Sequence, residues 1–362
     1  MLKTTLSHDD LEAAARAGIL SVDQLASLKI FAEERHQNRV IDADEPFKLL
    51  SGFRDVFIAV GVLILAIAFI AGGAVLGDAA PPGASALFAV SAWLLAERVV
   101  KRDRLALSGI FLALGFVTAV GLLVGYLVDS NWQGSFAGSD GLGATAPIAA
   151  SLSAILAGAA FYARFKVPFV LAGLAGAAVL FLITVLYAVA PAWTASNVRL
   201  ILGLAGLVVF LAAMRFDMSD RARITRRADC GFWLHLLAAP LIVHSVVGAV
   251  DTSGVSIGQD KAIAVFALVA VLALVALIVD RRSMIVSALI YTGTATFTTI
   301  SAFQGDSDLA FALTLFAIAV LVIGLGLLWT PLRRLVLTPF NDTRLAALVP
   351  PWRPQTLTGA NV

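Results

Sequence analysis

His235 and His244 are the residues in this sequence whose types most suggest chemistry. They lie nine positions apart in an otherwise apolar stretch, with Pro240 between them. An imidazole changes charge near neutral pH, so it can relay protons or hold a ligand. Pro240 lacks a backbone N–H and weakens the helical ladder near Leu236, which predicts a kink. The functional expectation is a bent helix lining a cavity. The plainer one is two neutral rings hydrogen-bonded to neighbouring helices, with His235 close to a helix end. Nine residues at about 100° each put the rings on opposite faces, which argues against a two-histidine metal site.

A second group is rich in hydroxyls. Ser287, Tyr291, Thr294 and Thr298 share one stripe of a helical segment that also carries Thr292, Thr296 and Thr299. They could line a polar path with His235, Pro240 and His244. Alternatively, each hydroxyl bonds to the carbonyl one turn back and serves tight packing. The third group is the basic stretch Arg215, Arg221, Arg223, Arg226 and Arg227. It would suit a docking or lipid-headgroup site, or act as an orientation signal.

Other chemistry is not expected. The single cysteine, Cys230, allows neither an intrachain disulfide nor a cysteine metal cluster. Gly138–Gly143 is glycine-rich, but no strand precedes it, so it is not read as a nucleotide fingerprint. No acid pair, Cys–His pair or metal-ligand spacing lies at membrane depth, so no enzyme activity, metal or cofactor is expected. A net charge of +2 gives no reason to expect a nucleic-acid partner.

The elements that carry these residues are predicted from composition and charge. Hydrophobic residues make up 60% of the 362 and charged residues only 14%. Mean hydropathy is +0.92. Soluble domains hold roughly 45–50% apolar and about 25% charged residues. The fold class expected is all-α, a polytopic transmembrane bundle of about ten spans. Apolar segments run over Val56–Leu76, Gly83–Ala96, Leu105–Val128, Ala146–Ala163, Val167–Ala190, Val198–Met214, Gly231–Val250, Ala262–Val279, Ser283–Phe303 and Leu309–Thr330. The second is short, which suggests a less tilted span or a partly re-entrant segment. Apart from Arg199, at the edge of the sixth range, every Asp, Glu, Lys and Arg falls outside these ranges, and Pro240 is the one proline well inside them.

Alternating the loops from a cytoplasmic N-terminus puts 24 of the 26 basic residues inside, with only Arg199 and Lys261 outside. That partition predicts both termini in the cytoplasm, since one missed span would invert every later loop. Trp93, Trp233 and Trp329 fall near cytoplasmic ends and Trp132 and Trp193 near the opposite face, as interfacial belts do. Gly121-Leu122-Leu123-Val124-Gly125 is a GxxxG, expected to mark a close helix contact within the bundle.

Residues 1–45 read as a small cytosolic helical hairpin, residues 46–335 as the transmembrane domain and 336–362 as an extended, mobile, proline-containing tail. Ser7–Asp10 and Ser21–Gln24 both have capping-box spacing. The first apolar run begins too late for a cleavable signal peptide.

At Gly18-Ile19-Leu20-Ser21-Val22-Asp23-Gln24 the chain resembles a family of bacterial predicted membrane proteins of unknown function. These have a short N-terminal helical pair followed by many spans. The resemblance implies a multi-pass protein of the bacterial inner membrane and supplies no site residues. The expected role is regulatory or assembly-related, with the bilayer around it and a protein partner at the hairpin. The alternative is a secondary transporter or permease for a small molecule or lipid, its path lined by the seventh and ninth spans.

Overall fold

The computed structural model describes residues 17, 19, 21, 23–25, 27, 53–75, 80–132, 144–221, 223, 225–247, 259–304, 307–340, 343, 349 and 350. Contacts divide the chain into two units, Met1–Pro46 with Ile224–Arg226, and Phe47–Arg223 with Arg227–Val362. In the first, the Ser21 amide donates to Gln24 Oε1 at 3.0 Å and the Gln24 amide to Ser21 Oγ at 3.1 Å. This is the reciprocal capping box that the spacing suggested. The rest of the expected hairpin, including Ser7–Asp10, lies outside the described residues.

The second unit is built from ten helices among the described residues. They are α1 Phe53–Val75, α2 Ala80–Ala96, α3 Ala106–Val128, α4 Thr145–Phe165, α5 Phe169–Val189, α6 Pro191–Ser219, α7 Arg226–Val247, α8 Gln259–Val279, α9 Ser283–Gln304 and α10 Ser307–Leu337. Eight of them, α1–α7 and α10, are long and apolar enough to cross a membrane, and α8 contributes the shorter apolar stretch Val265–Val279. Large apolar side chains such as Ile64, Ile67, Val208, Leu211, Phe316 and Ile323 stand exposed on their outer faces. Such surfaces are costly in water and natural in lipid, so the chain is membrane-embedded.

Three expectations about boundaries are corrected. The second segment is full-length. Pro81 and Pro82 sit in the first turn of α2, where missing N–H groups cost nothing. The helix then continues through a π-helical turn, Glu97–Arg102, giving a helical run of 22 residues from Pro81 whose end carries Glu97, Arg98, Lys101 and Arg102. Next, α6 does not stop at Met214 but runs to Ser219, because Asp217 finds partners on the buried face. Finally, α10 continues past Thr330 to Leu337, so Pro331 joins Pro240 inside a helix.

Helices α1–α5 share one core, centred on Val62, Phe88, Leu112, Phe161 and Val167. Trp93 packs there against Phe116, Phe161 and Phe165 at 5.1–6.1 Å between ring centres. Asp55, fully buried in the first turn of α1, accepts from the Leu107 amide at 3.0 Å, the Ser108 amide at 2.9 Å and the Ser108 hydroxyl at 2.6 Å. It thereby caps the start of α3 from another helix, where Leu105 offers no side-chain cap of its own. A Cβ on Gly121 would come within 3.2 Å of the Ala150 carbonyl oxygen, and one on Gly125 would overlap the Trp132 ring. The GxxxG therefore seats α4 and Trp132 inside this bundle. Trp132 is buried.

A second core joins α7 to α8, α9 and α10 through Ala239, Val243, Leu272, Ala288 and Trp329. Val209 and Ala213 of α6 meet Leu234 and Ala238 of α7 in a third.

Candidate functional site

The most polar interior point lies where α6, α7 and the start of α9 meet. Gly206, Val209, Ala213 and Asp217 follow one another along the buried face of α6. Continuing the helix past Met214 therefore turns the Asp217 carboxylate inward. On α7, His235 is fully buried, and its Nε2–H donates to Asp217 Oδ2 at 3.0 Å. Arg281, in the short turn before α9, donates from Nε to the same oxygen at 3.1 Å and from a terminal nitrogen to Asp217 Oδ1. The same guanidinium reaches the Ala228 carbonyl at 2.9 Å. Gly231 makes this possible, since a Cβ there would fall on Asp217 Oδ1.

The electrostatics follow from burial. Each ion taken out of water alone costs several kcal/mol, and a forked arginine–carboxylate pair with further hydrogen bonds offsets most of that. A carboxylate that orients a histidine is also one half of a proton relay. Here Arg281 occupies the carboxylate as well, and the His235 ring packs edge-on to Phe210 at 5.2 Å. Nδ1 of His235 has no partner among the described residues.

Asp280, immediately before Arg281, adopts a left-handed backbone with φ of 60°. Aspartate tolerates that region better than most residues. Its carboxylate accepts from Trp329 Nε1 at 2.7 Å and from Arg223 at 3.0 Å, and Arg333 lies 3.7 Å away. Arg282 stacks over the Trp329 ring at 5.1 Å. Trp329 is thus buried as a hydrogen-bond donor.

The basic stretch is split in use. Arg221 donates to the Val349 carbonyl at 2.9 Å, and Arg223 donates to Asp280 and to the Val279 carbonyl at 2.8 Å. Burial, then the neighbouring Arg281, draws the Arg223 guanidinium below its usual pKa range, with Asp280 opposing. Arg333 donates to the Pro350 carbonyl at 2.8 Å, and Val349 and Pro350 are buried. The expected mobile tail is therefore tied down at those two residues. Arg226 opens α7. Arg215 and Arg227 instead line a cavity with Phe216, Met218 and Ser219.

The residues named from sequence separate into two groups. His235 belongs to the cluster with Asp217 and Arg281. Farther along α7, His244 Nδ1–H donates to the Pro240 carbonyl at 2.8 Å, and the Tyr291 hydroxyl lies 2.7 Å from its Nε2. The seventh and ninth helices do face each other here. Along α9, the hydroxyls of Thr292, Thr296, Thr298 and Thr299 donate to carbonyls four residues back at 2.7–2.9 Å. The Thr298 bond runs to the Thr294 carbonyl. The side chain of Ser287 lies outside the described residues. Among the described residues, no group of three or more His, Cys, Asp or Glu side chains could hold a metal ion.

Comparison with protein-family models, with curated proteins and with solved structures gives no match. No residue role comes to this chain from a relative.

Proposed function

We propose that this chain is a ten-span protein of the bacterial inner membrane, with both termini cytoplasmic, and that its role is regulatory or assembly-related rather than catalytic. One observation carries the reading. His235 bonds to Asp217 of α6, His244 to Tyr291 and to its own backbone, and Thr292, Thr296, Thr298 and Thr299 to carbonyls of α9, as fastenings do, while His235 Nδ1 and the Ser283 and Ser301 hydroxyls have no partner among the described residues. A conducting path would need such groups turned towards a lumen. The ten described helices overlap the ten apolar segments, eight of them long and apolar enough to cross a membrane, and the partition of basic residues supports the orientation. The interaction module on this reading is the hairpin of residues 1–45, where Ile19 stands 76% exposed beside the capping box.

The permease reading makes the opposite demand on His235, His244 and Tyr291. The two separate in cells that depend on the gene. Deleting residues 1–45 should reproduce the loss-of-gene phenotype. A His235→Gln/His244→Gln chain, which keeps hydrogen-bonding capacity, should complement it. Full activity without the hairpin, together with loss of activity in the double histidine variant, would replace this reading with the permease.

A further inference from the structure

We propose that the cavity between α1, α2 and α3 binds a neutral lipid with a single hydrocarbon chain and an uncharged, oxygen-bearing head. The inference rests on the membrane reading above and adds a ligand to it. The cavity holds about 450 Å³. Small-molecule sites span about 300–1,000 Å³ and are mostly apolar, with a few polar groups that orient the ligand. Val62, Phe69, Phe88, Phe111 and Leu114 give this one its apolar wall, and no charged side chain lines it among the described residues. Its polar groups are the hydroxyls of Ser85, Thr118 and Tyr126. None of the three has a hydrogen-bond partner among the described residues. Other hydroxyls in the bundle are committed. Ser91, farther along α2, donates to the Leu87 carbonyl at 2.8 Å, and Ser151, Thr184 and Thr314 donate to carbonyls of their own helices at 2.8 Å. An unpaired hydroxyl away from water costs free energy that a ligand oxygen can recover.

The placement of the hydroxyls supplies a second argument. A Cβ on Gly109 would meet Val100, and one on Gly115 would strike the Phe88 ring, so α2 and α3 run in opposite directions. Ser85 and Thr118 each lie one turn from the Phe88–Gly115 contact, both on the side of Tyr126. On the other side the lining is wholly apolar, through Leu114, Phe111 and Val62. That graded polarity fits an amphiphile with its head towards Tyr126 and its chain towards Phe111. Length and charge then choose the class. From Phe111 to Tyr126 the lining covers about 22 Å of α3 at 1.5 Å per residue. One leaflet of the hydrocarbon core is about 15 Å deep, so the slot suits a chain that reaches past the midplane. A phosphate or carboxylate drawn into it would find no cation to offset its desolvation.

The test uses the full chain, purified in detergent and stripped of lipid, with bound lipid read by native mass spectrometry. Monopalmitoylglycerol, geranylgeraniol, palmitate and palmitoyl-oleoyl phosphatidylglycerol are titrated separately. At least one of the two neutral lipids should bind once per chain and in preference to palmitate and phosphatidylglycerol. The tighter of the two identifies the head as a glyceryl ester or a prenol alcohol. Ala66→Phe, which fills the slot, should weaken that binding at least about tenfold. Ser85→Ala/Thr118→Val should weaken it about fivefold through lost hydrogen bonds. The same double variant should leave thermal unfolding of the lipid-free chain unchanged, and it keeps the proposal testable should Ala66→Phe not fold. Ser91→Ala, outside the cavity, should bind like the wild type. Failure of both neutral lipids to bind, equal binding by wild type and cavity variants, or equal binding of phosphatidylglycerol would overturn the proposal. Carbonate extraction of the wild-type chain tests the membrane reading separately. A chain that stays in the membrane but binds neither neutral lipid loses this site alone.

Discussion

Asp217 and Arg281, 64 positions apart in sequence, are joined by a two-pronged pair in which the arginine meets both carboxylate oxygens. The pair ties the end of α6 to the turn before α9, and His235 locks α7 to the same carboxylate. The shared carboxylate makes the three side chains one unit, so their substitutions should not behave independently.

Asp217→Ala leaves the Arg281 guanidinium buried without its counterion and should cost about 3–5 kcal/mol, the range for breaking a buried pair. Asp217→Leu/Arg281→Met removes both charges and should recover much of that loss. Thermal unfolding in detergent micelles reads both effects. Strictly additive losses in the double variant would mean that the two charges do not depend on each other.

Gly231→Ala should destabilise by about 1–3 kcal/mol, because its methyl group must displace the Asp217 carboxylate. In an Asp217→Ala background the same change should cost much less, since the oxygen it strikes is gone. A double-mutant cycle measures this coupling directly. An equal penalty in both backgrounds would point to helix packing as the cause.

Asp55→Ala removes the carboxylate that caps α3 and should cost about 1–2 kcal/mol, the upper part of the range for helix caps. Hydrogen exchange at the Leu107 and Ser108 amides should speed up first, before any change in α4 or α5. Unchanged protection at those two amides would contradict the capping role.

The helices were legible because a membrane span declares itself through long apolar runs: each of the ten expected segments overlaps a described helix, and eight of those helices are long and apolar enough to cross a membrane. What escaped notice sits at their ends. Asp217 and Arg281 looked like loop charges, since a carboxylate and a guanidinium seem out of place in a buried face until they are paired. A signal was present in the phase of Gly206, Val209 and Ala213, which carries Asp217 onto the same face once the helix is allowed to continue. Nothing comparable marked Asp280, whose left-handed backbone depends on the turn and not on the residue type. His244 and Tyr291 could each be named from sequence. Their hydrogen bond could not, because it depends on how α7 and α9 are rotated about their axes.

The architecture rests on the number of crossings, so the most direct measurement is a topology map. Reporters with opposite activity on the two sides of the membrane should be fused within Asp129–Thr145, after Thr252, at Ser219 and at the C-terminus. The 24-to-2 partition of basic residues places the first two fusions outside the cytoplasm and the last two within it. A cytoplasmic signal from the Asp129–Thr145 loop would contradict the ten-span account.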